Sequence, residues 1–168
     1  MGIGISDFAH FLAKNEARLG TVKSQELSHK WAERFQYGLI NASMKLAKER
    51  GPCEAFHLSK YSEGKLRIET YNKNVDKINN MKLLCDWEHL RKEIAEHGMR
   101  HTTLSAIPPT ASSSLVSNST QGIDPIQSVT DTFESAVYTV RSLVPDHEKE
   151  NYYMKAWEFP NNDSSEYI

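Results

Sequence analysis

Residues 102–118 have the sequence TTLSAIPPTASSSLVSN, and within this stretch a strand signal changes into a helix signal. Residues 102–107 are β-branched and apolar and stop at a proline pair, which predicts a buried strand. A strand that runs into a hydroxyl-rich helix start favours phosphate binding, because the free N–H groups of the first helical turn and the positive end of the helix dipole face the same place. Thr110, Ser112 and Ser113 add hydroxyl donors. The alternative is an ordinary loop in which a Ser or Thr only caps the helix.

Outward from this stretch, apolar periodicity and capping residues predict four helices, at about 6–20, 24–50, 86–97 and 147–158. Ser6, Ser24, Asp86 and Asp146 stand at the positions of N-caps, and Gly98 stands at the end of the third helix. The strongest periodicity predicts a core-packing stripe on the second helix, formed by Leu27, Trp31, Phe35, Leu39, Ala42 and Leu46.

Two further segments carry strand signals. Residues 65–71 alternate between polar and apolar types, and residues 136–144 form a strand-like run that we expect to pair with residues near Val129. Helices that precede a strand with a polar loop at its carboxyl end indicate an α/β layer architecture, in which ligands bind beyond the carboxyl ends of strands.

Several separated motifs resemble, in the same order along the chain, the large subunit of class I ribonucleotide reductase. They are Gly2-Ile3-Gly4-Ile5, Phe8-Ala9-His10-Phe11-Leu12-Ala13-Lys14, Gly98-Met99-Arg100, Thr103-Leu104-Ser105-Ala106, Pro109-Thr110-Ala111-Ser112-Ser113, Gly122-Ile123-Asp124-Pro125 and Trp157-Glu158-Phe159-Pro160-Asn161-Asn162-Asp163. The resemblance covers the whole chain but only a minor, C-terminal-side part of the family's longer subunit. It implies an α/β fold in which residues 1–168 are a single, partial segment of a ten-stranded α/β barrel, helix-rich with a few strands.

The resemblance also implies a substrate site in the loop 108–114. The family's phosphate-binding loop matches Pro109, Thr110, Ala111, Ser112 and Ser113, and it holds the diphosphate of a ribonucleotide. The Thr-Ala form differs from the Ser-Glu form of some bacterial members and is similar to the eukaryotic form. A small Ala leaves the backbone N–H accessible to phosphate.

The chemistry of the family needs residues that this sequence does not contain. Ribose reduction uses a cysteine thiyl radical flanked by Asn and Glu, together with a pair of redox cysteines, and Cys53 and Cys85 match neither. We therefore expect no catalytic residue, no cofactor and no activity in this chain alone, and the resemblance implies a radical supplied by a partner small subunit. The pair Tyr152-Tyr153 precedes Trp157, whereas the family's radical-relay tyrosines follow the Trp-Glu-x-Pro segment, so we predict that the pair has a packing role.

Composition excludes other classes of function. A formal charge of −2, from 20 basic and 22 acidic residues, gives no reason to expect nucleic acid or an anionic membrane as a partner. The sequence has no apolar run of membrane-spanning length and no secretory signal, and its two cysteines form no CxxC, so we expect reduced thiols and a cytoplasmic location. Among the histidines, His97 and His101 have ligand spacing, but Gly98 between them breaks the helix, so we predict no metal site. A mean hydropathy of −0.59 is typical of a piece that needs the rest of a larger subunit, although a very soluble small domain has a similar value.

We therefore predict a part of a ribonucleoside-diphosphate reductase, an oxidoreductase of deoxyribonucleotide synthesis, that supplies the substrate phosphate loop. Its expected partners are a ribonucleoside diphosphate, the remainder of the large subunit and the small radical-generating subunit. We expect either a split-gene product or a truncated subunit. The alternatives are a non-catalytic nucleotide-binding or interaction fragment without reductase activity, and an unrelated small phosphate-binding domain.

Overall fold

The computed structural model describes residues 1–77, 80–134, 137 and 139–158. Within these ranges the chain forms α-helices, short 3-10 helices and one pair of strands. The α-helices are α1 (Phe8–Lys14), α2 (Val22–Arg50), α3 (Trp87–His97) and α4 (Ala111–Ser117), and the strands are β1 (Thr130–Glu134) and β2 (Thr139–Leu143). The 3-10 helices span Glu54–Leu58, Arg67–Glu69, Lys73–Lys77, His147–Tyr152 and Ala156–Glu158.

The chain contains two compact units. The first unit comprises Met1–Ile3 and Ser28–Ala106, and the second comprises Gly4–Leu27 and Ile107–Ile168. Each unit has its own cluster of buried apolar side chains.

The core of the first unit uses a different face of α2 from the one that the periodicity predicts. Its buried side chains are Ile40, Met44, Tyr61, Leu66, Trp87, Leu90, Ile94, Met99 and Leu104. Of the predicted stripe, Leu39 packs against this core from its edge, Ala42 is exposed, and the other members are half-exposed. The buried face also carries Glu33 and Ser43. Because both faces have helical spacing, the apolar pattern alone selects the more hydrophobic face and misses the buried one.

The helix α3 lies close to its predicted range and has both predicted end signals. The Asp86 carboxylate caps it by accepting the His89 N–H at 2.9 Å. Gly98 ends it with φ of +75°, a left-handed conformation that favours glycine. A Cβ atom at this position would lie 2.8 Å from the Pro52 Cβ, so the site also lacks space for a side chain.

Neither strand predicted in the first unit forms a ladder in the structure. Residues 102–107 make a single parallel bridge, between Ile3 and Ser105, and residues 65–71 contain the 3-10 helix Arg67–Glu69. The Ile3 N–H donates to the Leu104 carbonyl at 2.7 Å, and the Ala106 N–H donates to the Ile3 carbonyl at 3.0 Å. A strand needs a neighbour along its length, and here the neighbour is one residue long.

In the second unit, α1 is shorter than the predicted helix 6–20. Asp7 before it and Glu16 after it have φ of 73° and 55°, and an α-helix cannot include left-handed residues. Ser6 does not cap α1, because its hydroxyl donates to the Thr120 carbonyl at 2.8 Å. The other predicted start also differs: α2 begins at Val22, and Ser24 lies inside its first turn, with its N–H donated to the Thr21 hydroxyl.

The predicted pairing of residues 136–144 with the chain near Val129 is confirmed by an antiparallel hairpin. Thr130 pairs with Leu143, and the register continues to Glu134 opposite Thr139. The Val144 N–H extends the pairing by donating to the Val129 carbonyl at 3.0 Å. Residues 136 and 138 of the predicted strand lie outside the described residues.

The predicted last helix, 147–158, is wrong in type, since the segment forms the 3-10 helices His147–Tyr152 and Ala156–Glu158. Asp146 has φ of 47°, and its side chain makes no cap hydrogen bond. Its carboxylate instead lies 3.1 Å from the His10 ring, so it does not act as the N-cap that the sequence predicts. The last predicted motif is described only through Glu158, and Phe159 to Asp163 lie outside the described residues.

In the described part of the chain, none of the helices combines the length and the apolar character needed to cross a bilayer.

Candidate functional site

The loop 108–114 leads directly into α4 and is open to solvent where the sequence predicts phosphate contacts. Pro109 and the first three residues of α4, Ala111–Ser113, are exposed. The first backbone N–H to find an acceptor is that of Ser114, which donates to the Thr110 carbonyl at 2.8 Å. Within the described residues, the N–H groups of Ala111–Ser113 donate to no acceptor. Three exposed N–H donors at a helix start can bind an anion by donating hydrogen bonds to it.

The hydroxyl groups of the loop divide into two kinds. Thr110 Oγ1 accepts the Gly122 N–H at 2.7 Å and lies 3.3 Å from the Ser6 hydroxyl, so part of its hydrogen-bonding capacity is used inside the protein. Ser114 is buried and donates to the Ala111 carbonyl at 2.8 Å. The Ser112 and Ser113 hydroxyls make no hydrogen bond with other described residues, and they are the donors that a ligand can use.

Backbone and side-chain hydrogen bonds hold the turn after α4 against the chain that precedes α1. The Asp7 N–H donates to the Thr120 carbonyl at 2.8 Å, and the Thr120 N–H donates to Asp7 Oδ1 at 2.8 Å. The Phe8 N–H donates to the Gly122 carbonyl at 3.2 Å. The turn contains Gly122, whose N–H donates to Thr110 Oγ1. Residues outside the loop 108–114 therefore hold the loop in place.

His10 lies between two carboxylates in the same unit. Its Nδ1 is 2.8 Å from Asp7 Oδ2, and its Nε2 is 3.1 Å from Asp146 Oδ2. The hydrogen bond with His10 holds the pKa of the Asp146 carboxyl below its usual range. Both ring nitrogens can act as donors to carboxylates only when the imidazole is protonated.

The packing role predicted for the tyrosine pair is confirmed for Tyr153, which belongs to the core of the second unit. Its hydroxyl donates to the Pro145 carbonyl at 2.6 Å. Burial raises the pKa of Tyr153, and the nearby charges of Asp7 and Asp146 raise it further. Tyr152 packs against the same core from the 3-10 helix.

His97 and His101, the two histidines with the spacing of metal ligands, contact different residues of the first unit. His97 lies 3.9 Å from Glu93 and 3.7 Å from Glu96, and these three form a surface group on α3. His101 Nδ1 lies 3.3 Å from the Ser43 hydroxyl. Both cysteines are free thiols, and burial, with the neighbouring Glu33, raises the pKa of Cys85.

The sequence patterns do not single out Glu33, which the structure places among the buried residues of the first unit. Its carboxylate accepts the N–H of Leu84 at 2.8 Å, the N–H of Cys85 at 2.9 Å and the indole N–H of Trp87 at 3.0 Å. The available signal was a lone acidic residue at helical spacing from Tyr37, Ile40 and Met44. This role is structural, because it fixes the segment that leads into α3.

Comparison with known proteins identifies the family. The family model described as "Ribonucleotide reductase, barrel domain" matches residues 1–159. Ribonucleoside-diphosphate reductase 1 subunit alpha of Salmonella typhimurium is 44% identical over 164 residues, which are 97% of this chain and 22% of that protein. The corresponding protein of Escherichia coli is 43% identical with the same coverage, and that of Enterobacteria phage T4 is 39% identical over 100% of this chain and 22% of its own length.

The chain thus spans about a fifth of the length of the curated relatives that it matches. The match runs through the loop 108–114 and both compact units. The chain belongs to the ribonucleotide reductase barrel-domain family, and it corresponds to a part of the alpha subunit of these reductases.

Proposed function

We propose that this chain supplies the substrate phosphate-binding loop of a class I ribonucleoside-diphosphate reductase large subunit. Pro109, Thr110, Ala111, Ser112 and Ser113 hold the diphosphate of the ribonucleotide. The observation that carries the proposal is the set of three solvent-exposed N–H groups at the start of α4, which have no acceptor among the described residues. The loop has no Lys or Arg, so the dipoles of these N–H groups and the hydroxyls of Ser112 and Ser113 supply the attraction for the phosphate.

The loop binds and orients, and it does not break bonds. A diphosphate held at one end places the ribose at a fixed distance from groups on other segments, which is how positioning lowers a barrier. Reduction of the ribose belongs to the assembly of this chain with the remainder of the large subunit, in the cytoplasm. The radical comes from the small subunit.

We further propose that the chain takes its place in a ten-stranded α/β barrel which the rest of the large subunit completes. The parallel bridge between Ile3 and Ser105 supports this, because it aligns two extended segments in the direction that parallel barrel strands require. The family model's description as a barrel domain supports it as well.

A titration of the full 168-residue chain with ADP, followed by ¹⁵N amide shifts, tests the loop assignment. The largest shifts are expected at Ala111–Ser113, and inorganic pyrophosphate should compete with ADP. Ser112→Asp places an anion beside the bound phosphate, which weakens ADP binding by about 5- to 150-fold. The control is Ser112→Asn, because asparagine has nearly the same shape as aspartate and carries no charge. It should bind ADP within about threefold of the original chain.

Two results would contradict the assignment. One is equal ADP affinity in Ser112→Asp and Ser112→Asn. The other is a set of shifts centred away from α4. The stability of Ser112→Asp should not fall, because an acidic residue in the first turn of a helix contributes about 0.3–1 kcal/mol. A loss of binding in this variant is therefore not explained by unfolding.

A further inference from the structure

We propose that Asp7 is a positioning residue for the loop 108–114, and that it acts through Thr120 and Gly122 on Thr110. The inference depends on the phosphate-binding role proposed for the loop. Asp7 does not reach the exposed N–H groups of α4. Its effect is on the angle at which the chain enters that helix.

Asp7 makes hydrogen bonds with both backbone groups of Thr120, the carbonyl and the N–H. Its N–H donates to the Thr120 carbonyl at 2.8 Å, and its Oδ1 accepts the Thr120 N–H at 2.8 Å. The second carboxylate oxygen lies 2.8 Å from His10 Nδ1, which fixes the rotation of the carboxylate. With both of its oxygens engaged, the carboxylate has one orientation available.

The backbone of Asp7 is in a conformation that costs free energy. Its φ of 73° and ψ of 22° are left-handed, and a residue other than glycine holds this conformation only where its surroundings impose it. Asp tolerates the region better than most residues do. The strained backbone and the paired hydrogen bonds occur at the same residue, which indicates that the hydrogen bonds hold Asp7 in this conformation.

Hydrogen bonds carry the constraint from Thr120 to the loop. Gly122 receives the Phe8 N–H at its carbonyl and donates its own N–H to Thr110 Oγ1 at 2.7 Å. The Ser6 hydroxyl, 2.8 Å from the Thr120 carbonyl and 3.3 Å from Thr110 Oγ1, joins the two ends of the path. Thr110 is the last residue before α4, so its orientation determines where the first helical N–H groups point.

Asp146 provides a matched control. It is also an aspartate with positive φ, at 47°, and its carboxylate lies 3.1 Å from the other nitrogen of His10. It makes no hydrogen bond with Thr120, Gly122 or Thr110 among the described contacts. Asp146→Gly therefore removes the same kind of contact from the same imidazole without touching the path to the loop.

The experiment compares Asp7→Gly, Asp7→Asn and Asp146→Gly in the full chain. Glycine keeps the left-handed backbone without strain, so the glycine variants lose only the side chain. Asparagine keeps an oxygen for the Thr120 N–H and is the conservative rescue. The measurements are amide shifts and hydrogen exchange without ligand, the dissociation constant for ADP, and the urea midpoint.

In Asp7→Gly, exchange of the Thr120 and Gly122 N–H groups should rise about tenfold or more, the Thr110–Ser113 amides should shift, and ADP binding should weaken about three- to tenfold. Asp7→Asn should stay within about twofold of the original affinity. Asp146→Gly should lower the urea midpoint without moving the loop amides or the ADP constant. If Asp7→Gly does not fold, Thr110→Val, which removes the acceptor for the Gly122 N–H, should shift the same amides.

The proposal is overturned if the loop amides of Asp7→Gly keep their shifts, or if Asp146→Gly moves them equally. In the case where Asp7→Gly does not fold, unchanged loop amides in Thr110→Val overturn it. Failure of the original chain to bind ADP would contradict the proposed function instead. The ligand-free exchange and shift data would still decide whether Asp7 positions the loop, so the two failures are distinguishable.

Discussion

Replacing Glu33 by alanine removes a buried carboxylate that accepts hydrogen bonds from three donors in the segment leading into α3. The side chain is only 3% exposed, and its Oε1 serves the N–H groups of Leu84 and Cys85 and the indole N–H of Trp87. A buried donor left without an acceptor costs about 1–3 kcal/mol, and hydrogen bonds to charged acceptors contribute about 1.5–3 kcal/mol each. Because water reaches the exposed Leu84, we count the buried indole N–H of Trp87 and the part-buried N–H of Cys85, and we expect Glu33→Ala to lower the free energy of unfolding by about 3–5 kcal/mol.

Urea denaturation of the full chain, followed by tryptophan fluorescence, measures this loss. With a denaturant slope of about 2 kcal/mol per molar, the midpoint of Glu33→Ala falls by about 1.5–2.5 M. Glu33→Gln keeps an oxygen at the Oε1 position and loses the charge, so we expect a loss of about 1–2 kcal/mol. Glu49→Ala changes an exposed glutamate of the same helix and should stay within about 0.5 kcal/mol of the original chain.

The same carboxylate gives the first unit a dependence on acid. Burial by itself raises the pKa of Glu33, but hydrogen bonds from Cys85, Trp87 and Leu84, with nearby His29, bring the pKa below the ordinary value of 4.5. A lowered folded-state pKa means that the stabilisation is complete above the ordinary value and is lost as the pH falls through the folded-state pKa. The original chain and Glu49→Ala should therefore lose stability below about pH 5 more steeply than Glu33→Gln does.

Parallel pH profiles for the original chain and Glu33→Gln would contradict the stabilising role of the Glu33 charge. So would a midpoint for Glu33→Ala that matches Glu49→Ala, because the three donors would then be satisfied by water or by relaxation of the segment.

Three further outcomes follow from contacts already described. Gly98→Ala combines a left-handed φ with a Cβ placed 2.8 Å from the Pro52 Cβ, and thermal unfolding should show a loss of about 2–4 kcal/mol; an unchanged melting temperature would contradict the contact. Tyr153→Phe leaves the Pro145 carbonyl without its donor, and urea unfolding should show a loss of about 1–2 kcal/mol. Because the pKa of Tyr153 is raised, its stabilisation is present below its ordinary pKa of 10.0 and is lost at higher pH, and this alkaline loss should be absent in Tyr153→Phe. Asp86→Ala removes the cap of α3 and should cost about 1 kcal/mol, measured as a drop in the urea midpoint that Asp86→Asn largely restores.

The features that sequence patterns predict correctly are those that depend on residues close together in the chain. The cap at Asp86 and the stop at Gly98 define α3 because each acts on backbone groups within one turn of itself. The hairpin of β1 and β2 follows from a β-branched run near a second extended segment. The position of the loop 108–114 and the family resemblance also came from contiguous motifs, and the family match over residues 1–159 confirms the resemblance.

Contacts between distant segments determine which face of α2 is buried, whether residues 102–107 pair as a strand, and what Glu33 and Asp7 bind. Two faces of α2 share the helical period, and the buried one carries Glu33, whose donors lie 51 to 54 residues further along the chain. Asp7, which directly precedes α1, binds a residue 113 positions away. Local patterns encode backbone preferences, whereas the acceptor of a particular N–H is set by which distant segments the folded chain brings within about 3 Å.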